Sequence, residues 1–196
     1  VAAEGHAVVE LVKTELADEL KMRLRLRELK AENAYPQEYE QVATQLRELI
    51  VRTGEGKVEK ESKQRLALNA KMAALEVKVV RFNALNDVEL ALAEAKKKGA
   101  EKLAPLTLAE ALASFKEADA FIAQNPRDAE GVAGRARQAS FNARHLVQVM
   151  ESVQARTLQK VTTEQVIRDE ETRLMEIAQA LGQPDLRDRR LAEQVD

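Results

Sequence analysis

Two histidines, one run of basic residues and a pair of tyrosines are the side chains in this 196-residue sequence whose type and spacing invite a chemical reading. His6 and His145 belong to different stretches of helical pattern. A di-iron site in a helical bundle needs a glutamate three residues before each histidine. Ala3 and Asn142 stand at those places, which excludes that arrangement. The sequence contains no His-Glu-x-x-His, no Gly-x-Ser-x-Gly, no glycine-rich phosphate loop ending in lysine and no EF-hand loop. With no cysteine, disulfides and thiolate metal sites are excluded as well. The residues therefore predict no catalytic group, no cofactor and no metal.

Lys21, Arg23, Arg25, Arg27 and Lys30 form the basic run. Such a cluster is a candidate contact for phosphate, lipid head groups or an acidic partner. Its more ordinary role is a solvated face whose aliphatic stems cover apolar surface, and Glu19, Glu28 and Glu32 interleave with it at helical pairing distance. No aromatic residues alternate with these cations, so base stacking on nucleic acid has no platform. Tyr35 and Tyr39 bracket Pro36 and are the second candidate partner contact; tyrosines at a helix corner more often pack there with a wet hydroxyl. Lys96, Lys97 and Lys98 fall at a helix C-terminus, where positive charge complements the macrodipole.

What must position these residues is helix. Hydrophobic residues make up 45% and charged residues 33%, a globular mixture, yet aromatics are only 3% and there are just 7 glycines and 4 prolines. Ala, Leu, Val, Glu, Lys, Arg and Gln dominate, and most of these favour helix. The net charge of −2 gives no general attraction to nucleic acid or anionic lipid. No apolar run reaches the length of a membrane span. Val1 to Glu10 lack the basic and apolar regions of a signal peptide, and the start without Met reads as a processed or excised fragment.

The punctuation predicts a helix over 3–33, broken at Pro36, and another over 37–53 with Tyr39, Val42, Leu46, Leu49 and Ile50 on one stripe. Gly54-Glu55-Gly56 turns the chain. A helical pattern of roughly 60 Å follows from about Lys57 to Lys98. It carries two stripes: Leu66, Ala70, Ala73, Val77, Val80 and Ala84, and beside them Leu68, Met72, Leu75, Val79 and Phe82. Two stripes predict packing against two neighbours. Thr107 to Glu110 reads as a capping box opening a fourth helix, with Leu108, Ala111, Leu112, Phe115, Ala118 and Ile122 inward. Asn125-Pro126 reads as the cap and first residue of a fifth, striped by Val132, Ala136, Ala139, Ala143, Leu146, Met150 and Val153 at coiled-coil spacing. Ala136, Ala139 and Ala143 should admit close approach of the fourth helix, whose Leu112, Phe115 and Ile122 supply the bulk. Thr162 to Gln165 opens a sixth helix that ends before Gly182. Leu20 to Arg27 alternates apolar and basic residues at period two, a strand pattern, but its flanks and its Leu, Met, Lys and Arg content assign it to helix.

Ala31-Glu32-Asn33-Ala34-Tyr35-Pro36 recurs as Ala100-Glu101-Lys102-Leu103-Ala104-Pro105. The expected architecture is thus an all-α, elongated antiparallel helical bundle of two related three-helix units sharing a long central helix. Repeat one spans about 3–85 and repeat two about 85–160 within a 1–160 bundle. Residues 161–196 form a C-terminal helix and linker toward a following domain.

Ala93-Glu-Ala-Lys-Lys-Lys-Gly-Ala-Glu-Lys-Leu-Ala-Pro-Leu-Thr-Leu-Ala-Glu-Ala111, with the later Ala139-Ser-Phe-Asn-Ala-Arg-His145, resembles an Ala-rich helical domain of unknown function in Gram-negative envelope proteins. There a Gly-Ala-x-x-x-Ala-Pro break leads into two Ala-rich helices, and many members precede an OmpA-like peptidoglycan-binding domain. The resemblance covers about residues 85–155. The first half matches more loosely, with Tyr35 where the family has Ala. The resemblance implies a periplasmic or outer-membrane-associated location, protein partners in the envelope, and peptidoglycan contact through a C-terminal domain absent from this sequence.

The expected function is a non-enzymatic spacer or assembly module of the envelope. The alternative is a cytosolic helical adaptor holding a peptide or protein in an inter-helix groove, although the 34-residue markers of tetratricopeptide repeats are missing. An enzyme would require buried, pKa-perturbed acids gathered in one pocket.

Overall fold

A computed structural model describes residues 2–57 and 63–194, and among them every regular element is helical. The elements are α1 (Ala2–Glu15), α2 (Ala17–Glu28), α3 (Ala31–Ala34), α4 (Pro36–Gly54), α5 (Lys63–Lys97), α6 (Ala100–Leu103), α7 (Pro105–Gln124), α8 (Ala129–Leu158), α9 (Thr163–Ala180) and a closing 3₁₀ turn, Leu191–Gln194. By compactness the chain divides into Val1–Leu146 and Val147–Asp196. No helix among the described residues is long and apolar enough to cross a membrane.

In the first unit α5 is the axis. Its 35 residues rise about 52 Å, and it contacts α2, α3, α4, α6 and α7. Side-chain bonds give the directions. Arg52 meets Gln64, Lys71 meets Gln45 and Lys78 meets Glu38, so α4 runs antiparallel to α5. Arg65 meets Glu19, Arg25 meets Glu76 and Asn83 meets the Leu29 carbonyl, so α2 runs parallel to it. One core joins Leu16 and Leu26 of the N-terminal segment, Val42, Leu46 and Leu49 of α4, and Leu68, Met72, Leu75 and Val79 of α5. Further along, Leu85, Val88, Leu92 and Ala95 of α5 are buried, as are Leu108, Ala111, Ala118 and Ile122 of α7.

The helix expected over 3–33 is interrupted twice. At Leu16, fully buried, the backbone leaves helical geometry (φ −111°, ψ 25°). Nη2 of Arg65 donates to the carbonyl of the preceding Glu15 at 2.7 Å, and a side chain inserted at the helix ladder is a recognised cause of a kink. The second interruption is Lys30, in the left-handed region (φ 59°). The period-two stretch is helical, as expected, lying within α2. The buried positions of α2 are Glu19 and Leu26, while Leu24 stays half exposed at 50%.

The two stripes of α5 are unequal. Leu68, Met72, Leu75 and Val79 are buried as expected, but Leu66 is 60% exposed, Ala70 and Ala73 are exposed, and Phe82 lies at the surface. Only Val80 of the first stripe is buried, because α2 and α4 lie against the Leu68–Val79 side. The segment 58–62, where this helix was expected to begin, lies outside the described residues.

Two start signals differ from expectation. Pro105 is itself the first residue of α7, following Ala104 in a non-helical conformation (φ −149°, ψ 60°), so Thr107 sits inside the first turn and caps nothing. Asn125 closes α7, and Asp128 is the residue whose carboxylate accepts from the Gly131 N–H at 2.9 Å to open α8. Thr162 caps α9 as expected, accepting from the Gln165 N–H. Ala139 and Ala143 are buried, whereas Ala136 is half exposed. Arg135 stacks on the Phe121 ring at 3.7 Å, tying α8 to α7.

The repeated hexapeptide adopts one conformation at both places. Lys30 and Gly99 are left-handed; Ala31 and Ala100 start a four-residue helix and are fully buried; Tyr35 (φ −138°, ψ 66°) and Ala104 (φ −149°, ψ 60°) share one non-helical conformation; Pro36 and Pro105 start the next helix. The left-handed residue redirects the chain within this turn, and glycine alone occupies it without a Cβ penalty. Gly99→Ala should therefore lower stability by about 1 kcal/mol, and Lys30→Gly should raise it by up to about 1 kcal/mol. Denaturant midpoints at constant m-value test both.

Candidate functional site

The chemically distinctive feature is a pair of carboxylates withdrawn from water. Glu19 of α2 is 0% exposed and Glu76 of α5 is 2% exposed. Each is met by guanidinium groups from another segment. Arg65 of α5 reaches Glu19 at 2.7 Å through Nε and 3.0 Å through Nη2, and Asn69 adds a bond at 2.8 Å. Glu76 receives Nη2 of Arg127, from the turn before α8, at 2.9 Å, with Nε at 3.1 Å, and Nε of Arg25 at 3.4 Å. The two clamps cross: α2 offers an acid to α5 at one level and a cation at the next. Together they fix α2 on α5 in register and bring the 125–128 turn to the same place.

Burial alone would push the Glu19 carboxyl up; the bonds from Arg65 and Asn69 outweigh it, and its pKa lies below the ordinary 4.5. Glu76 holds Arg127 above its usual value, mainly through their hydrogen bond. Both acids are occupied by structural partners. Among the described residues no group of three or more His, Asp or Glu gathers as a metal site.

The basic run is split. Arg25 turns inward to Glu76 and is half buried, while Lys21, Arg23, Arg27 and Lys30 stay exposed. Tyr35 packs edge-on against Phe82 at 5.9 Å between ring centres, with the Lys78 ammonium 5.9 Å from its ring. Tyr39 is half buried against the first core. Both tyrosine rings thus pack on the bundle, Tyr35 on Phe82 and Tyr39 on the first core. His6 is exposed; His145, also exposed, stacks on the exposed Phe141 at 6.1 Å.

Between the end of α2, the middle of α5 and the first half of α8 lies an open groove of about 420 Å³. Leu29, Val80, Ala84 and Ala133 line it, and Arg25 and Arg137 stand on it; no acid does. A second shallow depression, lined by α8 alone and sharing Ala136 and Arg137 with the groove, carries Gly134, Phe141 and Arg144, again without an acid. Neither the clamps nor the groove was read from the sequence. The clamps had a signal: Glu76 stands between Met72, Leu75, Val79 and Val80, and Glu19 three residues from Leu16, each acid on an inward position.

No family model matches the chain, and no curated protein or solved structure matches it either.

Removing one member of a buried ion pair strands the other. Arg65→Ala should cost about 3–5 kcal/mol, whereas replacing both Glu19 and Arg65 by apolar residues of similar volume should cost much less. Because the folded pKa of Glu19 lies below the unfolded one, the unfolded chain binds more protons as pH falls through the carboxylate range. The Glu19 contribution is complete above about pH 5 and is lost progressively as pH falls from there through the lowered folded pKa. Thermal midpoints should fall accordingly on acidification, and Glu19→Gln should flatten that fall.

Proposed function

We propose that the chain is a non-enzymatic structural and interaction module of the bacterial cell envelope, a periplasmic spacer or assembly domain ahead of a peptidoglycan-binding domain. The observation that carries the non-catalytic part is the use made of the two buried acids. Each is bound by arginines at 2.7–3.4 Å and serves to hold helices together, whereas a general acid or base needs an accessible proton and a substrate cavity. The envelope part is supported by the resemblance over about residues 85–155, and by the Gly99–Pro105 turn adopting a sharp break into an Ala-rich helix.

A second reading, a cytosolic adaptor for a peptide or protein, is favoured by the open groove lined by α2, α5 and α8. The exposed Lys21, Arg23 and Arg27, and the tyrosines Tyr35 and Tyr39, remain partner-contact candidates under either reading.

Fractionation of the native host, with the full-length gene tagged at its C-terminus, separates the two. The envelope reading expects the protein in the periplasmic or outer-membrane fraction, with crosslinks to envelope proteins. Recovery in the cytosol alone overturns it and leaves the adaptor reading.

A further inference from the structure

The groove in the first unit and helix α9 are complementary in charge and in apolar surface. The groove floor is mostly small and aliphatic, with Asn83 its one uncharged polar side chain, and the charged groups of the groove and of the adjoining depression are all cationic. Arg25 and Arg127 share the single buried carboxylate of Glu76, which leaves one positive charge in excess at that end. At the other end Arg137 and Arg144 make no ion pair among the described residues. A chain with 33 acids against 31 bases has concentrated cations there.

Gly134 points the same way independently. It lies inside α8, where glycine is about 1 kcal/mol less favourable than alanine. Gly131, one turn earlier, has an internal reason: a Cβ there would come within 2.7 Å of the Phe121 ring. A Cβ on Gly134 would meet nothing nearer than the Arg137 guanidinium at 4.0 Å. Nothing within the fold requires glycine at this point of the surface.

Helix α9 has the opposite character. It carries five acids, among them Glu164, Glu170 and Glu171, against two arginines. None of its residues is buried. Ile167, Leu174 and Leu181 recur every seven residues, with Ile177 between the last two, which is the spacing of a helix that docks on others. Ile167 is 43%, Ile177 58% and Leu181 73% exposed.

We propose that the groove receives α9 of a second copy of this chain, the apolar stripe lying on Ala133 and its neighbours and the acids facing Arg137 and Arg144. Gly134 lets the incoming helix approach closely. Reciprocal exchange of α9 between two copies closes the contact as a two-fold dimer and avoids open chain growth. This contact goes beyond both functional readings and does not depend on compartment, so its failure and the fractionation result are read separately.

The test is the mass of the full chain by light scattering and sedimentation. A concentration-dependent dimer is expected by about 100 μM, weakened as salt is raised toward about 1 M. A Cβ at Gly134 meets only the end of the flexible Arg137 side chain, at 4.0 Å, so Gly134→Ala and then Gly134→Leu add bulk stepwise; Ile177→Asp alters an exposed position. Gly134→Leu and Ile177→Asp should each weaken the dimer at least about tenfold, with helical circular dichroism unchanged. A monomer throughout this range overturns the proposal. So does a dimer that survives either variant, because that outcome places the contact away from the groove or away from α9.

Discussion

A carboxylate taken out of water must be met by a cation, and in this chain that requirement sets which helices touch. Glu19 and Glu76 are the only buried acids among the described residues, and both are answered across the α2–α5 contact. Apolar stripes are permissive about register, since one leucine can replace another a turn away. A buried ion pair is not: a slip of one turn would strand a charge at a cost of several kcal/mol. The clamps therefore act less as a source of net stability than as a selector of one helix arrangement. Arg127 extends the same constraint to the turn between α7 and α8.

Most of the fold was legible because long helices announce themselves. The inward faces of α4, α7 and α8 follow the apolar spacing of Val42, Leu46 and Leu49, of Leu108, Ala111, Ala118 and Ile122, and of Val132, Ala139, Ala143 and Leu146. Burial departs from the pattern where a neighbour rather than a period decides it. Leu66 and Ala73 keep a helical spacing yet face water, because α2 and α4 both lie on the Leu68–Val79 side of α5 and leave this side uncovered. Helix starts depart from it too. Thr107 has the residues of a capping box, but proline two positions earlier has already begun the helix. The repeat at Ala31 and Ala100 was visible in sequence, and its shared turn conformation rests on the left-handed residue before each alanine.

The candidate site was less legible for a physical reason. Arg25 belongs to a basic run by sequence, and only the fold turns it toward Glu76 while Arg23 and Arg27 remain outside. Pairs such as Glu19 with Arg65 lie 46 residues apart, beyond any local pattern. The groove, likewise, is made by three segments that come together only on folding. The molecule thereby divides its labour. The two buried acids join helices through their arginine partners, and the groove carries apolar and cationic groups.

Native-state hydrogen exchange on α2 and α5 tests the role of the clamps most directly. If the crossed clamps hold the two helices in register, their amides near Glu19, Arg25, Arg65 and Glu76 exchange through one common opening at neutral pH. Loss of the clamps in the double variant Glu19→Gln, Glu76→Gln should then let α2 open well before α5. Independent opening of α2 in the unaltered chain, with exchange unchanged in that variant, would contradict the central claim.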